Sequence, residues 1–216
     1  MSAETLLKLL HAPLPPEEEW EPHAKQLDAA LGINLDQCER EISAREASSV
    51  TEQAAWRGLR ADVLLTPYCE FAQAVGECGE AEHWVDLGSA YSRLGHVLGE
   101  LRPLARFTGI ELVPERAREG ERVLQARGLT RARVLQADLE QCEIPEADVY
   151  FLYDFGALPA IRRVLEVLKA HARQRPLRIV ARGRFTRHEI ERAHPWLSQV
   201  VTPLRHPRYA VYFTRA

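Results

Sequence analysis

Residues 84–95 read WVDLGSAYSRLG, and the stretch parses as strand, tight turn, helix. His83, Trp84, Val85 and Leu87 suit a short buried strand, and the run from Asp86 to Ala90 breaks it. Leu94, Val97, Leu98 and Leu101 then return at helical spacing. Gly88 has a physical use at the break, because a ligand can approach the backbone where no Cβ stands, and the amides that open a helix are free donors. A glycine in such a connection also serves packing alone, so the next strands must decide between the two.

Residues 107–112 (FTGIEL) read as a second strand, with Glu111 at its tip twenty-five positions after Asp86. That is one β-α-β unit. A carboxylate at the end of the second parallel strand faces the same crevice as the glycine turn, and its acceptor oxygens suit a ribose diol. Asp138 follows a third strand over 133–136, and Tyr153-Asp154-Phe155-Gly156 follows a fourth over 149–152. Four consecutive strands thus carry polar residues at one end, which describes a nucleotide-cofactor crevice. A nicotinamide fingerprint would need G-x-G-x-x-G after the first strand, which DLGSAYSRLG does not supply, and Asp86 would sit badly beside a pyrophosphate.

On these residues the chain resembles the class I S-adenosylmethionine-dependent methyltransferases, with DLGSA as motif I, Glu111 as the acidic motif and YDFG as the turn after strand four. The resemblance covers Thr66 to Ala216. It implies S-adenosyl-L-methionine as cofactor, held by Thr66, Tyr68, Asp86, Gly88, Ser89, Ala90, Glu111, Asp138 and Leu139, with Tyr153, Asp154 and Phe155 beside the methyl acceptor as the catalytic set. The sequence departs from D-x-G-x-G-x-G, since Ala90 and Ser92 stand where glycines are commoner, and Tyr91 adds bulk near the methionine end. The TPYCE stretch at 66–70 is similar to a threonine-proline turn of small non-SET protein-lysine methyltransferases, and the N/D-P-P-Y/F motif of adenine and glutamine N-methyltransferases is missing. The resemblance therefore implies a protein amine as acceptor, with RNA or a small molecule as the alternative. A non-catalytic cofactor-binding or interaction protein also stays open.

Composition sets the outer bounds. With 216 residues, 46% hydrophobic and 27% charged, the chain can form one globular domain with an appended subdomain. We expect a helical N-terminal region over 1–65 and a cofactor-binding methyltransferase domain over 66–216. No apolar run approaches the roughly 18 residues of a membrane span, and the start lacks a basic segment before an apolar core, so cytoplasm is the expected compartment. Cys38, Cys69, Cys78 and Cys142 form no CxxC pair and no zinc spacing with histidine, so no metal site is expected. Charge is uneven: residues 1–80 carry net −9 and residues 160–216 net +10. The basic third can attract RNA or an acidic partner, or pair with the acidic third within the molecule.

The fold class expected is α/β, a Rossmann-like parallel sheet with helices on both faces and a C-terminal antiparallel strand, preceded by an α-helical region. Helices are expected over 2–10 and 17–31, from an Asp36/Glu39 capping box through Ala47, and from a Ser49/Glu52 box carrying Trp56, Leu59 and Val63. Thr66 should cap a helix with Pro67 in its first turn, running to Gly76. Later helices are expected over 113–127 and from Pro159, with a fifth strand over 177–181. Phe185, Thr186, Glu189 and Ile190 spell a further capping box with a hydrophobic staple. Residues 197–203 and 209–214 read as two strands joined by a loop.

Overall fold

The computed structural model describes residues 16–45 and 65–215, and the elements expected over 2–10 and from Ser49 onward lie outside them. A 3-10 turn at Glu17–Glu19 leads into α1 (Trp20–Leu31), which Gly32 ends at φ 76. Then follow α2 (Leu35–Ala44), α3 (Tyr68–Cys78), β1 (His83–Leu87), α4 (Arg93–Leu101), β2 (Arg106–Glu111), α5 (Pro114–Ala126) and β3 (Ala132–Gln136). The rest is β4 (Val149–Leu152), α6 (Leu158–Ala172), β5 (Arg178–Arg182), α7 (Arg184–Ala193), α8 (Pro195–Ser198), β6 (Leu204–Arg205) and β7 (Tyr209–Phe213).

Seven strands form one sheet in the order β3-β2-β1-β4-β5-β7-β6. The first five are parallel, while β7 runs antiparallel to β5 and the short β6 antiparallel to β7. Strand order reverses between β1 and its two neighbours, β2 and β4, so a crevice opens above β1 at the carboxyl ends.

Alternation along the strands builds two cores. Trp84, Phe107, Phe151, Val180 and Val211 face α1, α3 and α4, while Val85, Leu87, Ile110, Tyr150, Ile179 and Tyr212 face α6 and α7. Apolar stripes such as Ile161, Val164, Leu165 and Leu168 seat the helices, each fully buried side chain contributing about 1.5–3 kcal/mol. A smaller cluster of Ile33, Cys38, Leu65, Tyr91 and Val123 seats the N-terminal helices against α5 and the turn after β1.

Three capping expectations fail. Glu39 does not close a box with Asp36 but turns to Tyr91 and Arg116, and α2 ends at Ala44. Thr66 makes no side-chain cap, and Pro67 itself occupies the N-cap of α3. Thr186 lies inside α7 rather than at its cap, Gly183 takes that place, and Glu189 pairs with Arg162 instead of folding back. For Glu39, Thr186 and Glu189 a distant partner outcompetes the local hydrogen bond. At the C-terminus a reversal does form, but residues 197–203 are not its first strand: α8 and an irregular segment occupy them, and the pairing strand is Leu204–Arg205, inside the stretch read as the loop.

The uneven charge is partly spent internally. Glu70 pairs with Arg182 at 2.6 Å and with Arg208 at 3.8 Å, Glu17 with Arg208 at 3.6 Å, and Glu77 with His206 at 2.8 Å. No helix among the described residues is long and apolar enough to cross a membrane.

Candidate cofactor-binding and active site

The turn after β1 is closed by its own backbone. The amides of Gly88 and Ser89 both donate to the Ile110 carbonyl, at 2.9 and 3.0 Å, and the Ala90 amide donates to Glu111 Oε2 at 2.7 Å. The amides of residues 88–90 are therefore occupied, and what the turn offers a ligand is close approach. Gly88 sits at φ 89, and a Cβ on it would lie 2.8 Å from the Cβ of Phe155. Ala90 and Ser92 take φ 45 and φ 59, the left-handed region that glycine enters freely and other residues enter at about 1–2 kcal/mol. These are the two positions where the resembled family's motif carries glycine.

Glu111 stands at the tip of β2, 6% exposed, with Oε1 accepting the Val113 amide at 2.8 Å and Oε2 that of Ala90. Each oxygen keeps a lone pair for a further donor. Burial raises its pKa, against the pull of Arg116 and these amides, so a hydroxyl donor at the carboxylate would be well rewarded. Asp86 is buried below, and burial, then the charge of Glu111, pushes its carboxyl up to about 8.

Gly88, Ala90, Glu111, Arg116, Asp138, Leu139, Tyr153, Asp154 and Phe155 surround one crevice. It encloses about 80 Å³, less than the roughly 300 Å³ of ordinary small-molecule sites, so a nucleoside-sized ligand must part its walls. A wider hollow of about 950 Å³ lies among Glu80, Leu104, Asp148 and Phe213. It is at the amino ends of the parallel strands, where open α/β sheets do not place ligands, so the narrower crevice is the candidate site.

The structure gives the expected site residues unequal places. Gly88, Ala90, Glu111, Asp138, Leu139, Tyr153, Asp154 and Phe155 come together in the crevice. Asp138 also holds its own turn, accepting from the Glu140 amide at 2.8 Å. Thr66, Tyr68, Asp86 and Ser89 do not line it. The Thr66 carbonyl accepts from Arg93 at 3.1 Å, and the Tyr68 hydroxyl, fully buried, donates to Asp28 at 2.8 Å. The Ser89 side chain turns toward Gly109, where a Cβ would meet its Oγ at 2.5 Å.

Asp154 is engaged. Its Oδ1 accepts from the Thr186 amide and hydroxyl, each at 2.8 Å, and its Oδ2 from the Phe185 amide at 3.2 Å. It thus caps α7 across the sheet, not the turn before Pro159. Gly183, at φ 89, makes room for it, since a Cβ there would run into the Asp154 carboxylate. Beside it the Arg182 guanidinium lies 4.2 Å from the centre of the Tyr153 ring.

Two residues, one lining the crevice and one holding it, were not expected there. Arg116, 7% exposed, lines the crevice and is gripped by both oxygens of Glu39, at 2.8 and 2.9 Å. Its place in the first turn after the acidic strand is a positional hint. Glu39 belongs to a helix far upstream, and its local pattern pointed to a capping box with Asp36 instead.

No protein-family model matches the chain, and no curated protein matches it in sequence. Solved structures do resemble it. An RNA methyltransferase from Salinibacter ruber, solved with S-adenosyl-L-homocysteine, superimposes with a TM-score of 0.54 at 19% identity, covering 69% of this chain and 92% of its own. A candidate O-methyltransferase from Klebsiella pneumoniae gives 0.54 at 15% identity, covering 93% and 99%. A precorrin-6y C5,15-methyltransferase from Geobacter metallireducens gives 0.53 at 15%, covering 74% and 95%. The chain has the Rossmann-like fold of these methyltransferases.

Proposed function

We propose that the chain is an S-adenosyl-L-methionine-dependent methyltransferase. The observation that carries this reading is the convergence of Gly88, Glu111, Asp138 and the 153–155 turn on one crevice at the reversal of strand order. The left-handed backbone at residues 90 and 92 adds to it. Glu111 would accept the ribose hydroxyls, Gly88 would let the cofactor lie against the backbone, and Asp138 with Leu139 would flank the base. Glu111, Asp138 and Glu140 put carboxylates around the crevice, while the charge of Arg116 is already held by Glu39, which suits a cationic ligand such as the sulfonium cofactor. Methyl transfer itself asks the protein mainly to align the acceptor's lone pair and exclude water.

For the acceptor, the crevice favours a flat or apolar group carrying a neutral nucleophile, as a nucleobase or a small aromatic molecule does. Tyr153, Phe155 and Leu139 supply apolar walls, and Phe185, 66% exposed, follows directly on the capping contact of Asp154. A protein lysine is the second reading, favoured by the acidic rim of Asp138 and Glu140. The TPYCE resemblance supports it less, because Thr66 and Tyr68 face Asp28 and Arg93 rather than the crevice. Transfer of labelled methyl from the cofactor to cell extract separates the readings. Label lost on nuclease treatment marks RNA, label lost on protease treatment marks protein, and label in the small-molecule fraction marks the remaining class. No transfer to any fraction would set aside the enzyme.

A further inference from the structure

We infer that the N-terminal helices α1 and α2 clamp the Gly88–Ser92 turn in its ligand-facing shape, with Asp28 and Glu39 as positioning residues. Ala90 and Ser92 hold left-handed backbone that their side chains disfavour. The Ser92 hydroxyl, fully buried, has no hydrogen-bond partner among the described residues, so its side chain does not fix the turn. Its two neighbours do. The Tyr91 hydroxyl, on a side chain 1% exposed, donates to Glu39 at 2.6 Å. Arg93, 6% exposed, donates from Nε to Asp28 Oδ1 at 3.0 Å, grips the second oxygen of Asp28 with Nη2, and reaches the Thr66 carbonyl with Nη1.

Each carboxylate is fixed by further donors. Asp28 also accepts from the Tyr68 hydroxyl, and Glu39 from both prongs of Arg116 in the crevice wall. Glu39 therefore sets the turn and the wall together. The helices are fastened from outside the turn as well: Arg45 pairs with Glu115 at 2.6 Å, and the Asn34 amide donates to Glu119 at 2.6 Å. Where glycines would allow this turn freely, the chain imposes it through two carboxylates from residues 20–44, the buried Asp28 and the half-buried Glu39.

The ligand half of this inference rests on the cofactor reading, and the conformational half does not. Tyr91→Phe removes one hydrogen bond of the clamp while leaving the Glu39–Arg116 pair, and Ala90→Gly with Ser92→Gly removes the strain. Amide hydrogen exchange over 88–96 without ligand, and calorimetric binding of S-adenosyl-L-homocysteine, are read for Tyr91→Phe in the native turn and in the double-glycine turn. In the native turn Tyr91→Phe is expected to speed exchange about tenfold and weaken binding about tenfold, the scale of one buried hydrogen bond. In the double-glycine turn both effects shrink below about twofold, because the backbone no longer resists. Equal effects in both backgrounds, or unchanged exchange in the native turn, overturn the clamp. If the unaltered protein binds no S-adenosyl-L-homocysteine, the cofactor reading fails and the exchange cycle alone decides the clamp.

Discussion

Thr186 donates both its amide and its hydroxyl to one oxygen of Asp154, each at 2.8 Å, across 32 positions of the chain. The turn after β4 is thereby tied to the helix after β5. An exposed-looking acid in a motif position becomes the cap of a distant helix.

Asp154→Asn should then act on stability more than on chemistry. The amide oxygen can keep Thr186, but its NH2 group faces the Phe185 amide, and the favourable charge at the helix N-terminus is gone. A loss of about 1–2 kcal/mol is expected from urea unfolding. Single-turnover methyl transfer should fall less than about tenfold, where loss of a general base costs 10²-fold or more. A rate loss of that size without a stability change would return Asp154 to the chemistry.

The Asp86 carboxyl predicts a pH dependence of folding. Burial and then Glu111 push it up to about 8, so the folded chain holds a proton that the unfolded chain sheds near 4. Its stabilising contribution is full below about pH 4, declines as pH rises toward about 8, and levels off above, with a slope of at most about 1.4 kcal/mol per pH unit. Asp86→Asn should flatten this decline and be the more stable protein at pH 8. Urea unfolding at pH 5 and pH 8 reads it, and parallel pH curves for the two proteins would exclude Asp86 as the cause.

Gly88→Ala should cost about 2–3 kcal/mol, from φ 89 and from a Cβ only 2.8 Å from that of Phe155. Phe155→Ala keeps the offending Cβ and should give no relief, whereas Phe155→Gly should recover part of the loss. Thermal melts of the double-mutant cycle measure the coupling, and additive losses with Phe155→Gly would show that the contact carries no energy.

These residues also show how far the sequence could be read. β1, β2 and β4 with their acidic or polar tips were legible because short apolar strands ending in Asp86, Glu111 and Asp154 combine pattern and punctuation in a few neighbouring residues. The ends of the helices expected over 17–31 and 113–127 were legible for the same local reason, each lying just before a glycine, Gly32 at φ 76 and Gly128 at φ 69. The capping boxes at Asp36/Glu39 and Thr186/Glu189 misled, because a hydrogen bond within one turn competes with partners that only the fold brings near: Arg116 and Tyr91 for Glu39, Arg162 for Glu189. Tyr68 likewise belongs to Asp28, forty positions upstream. The first strand of the terminal reversal was misplaced because β6 is only two residues long and both are exposed, leaving no apolar alternation to find.

We propose that S-adenosyl-L-methionine lies in the crevice with its ribose on Glu111. Calorimetric titration of the unaltered protein and of Glu111→Ala with S-adenosyl-L-methionine tests it most directly. The unaltered protein is expected to bind, and Glu111→Ala to lose about 1.5–3 kcal/mol, roughly 10- to 150-fold in affinity, with far-ultraviolet circular dichroism unchanged. Absence of binding by the unaltered protein at millimolar cofactor, or equal affinity in Glu111→Ala, would contradict it.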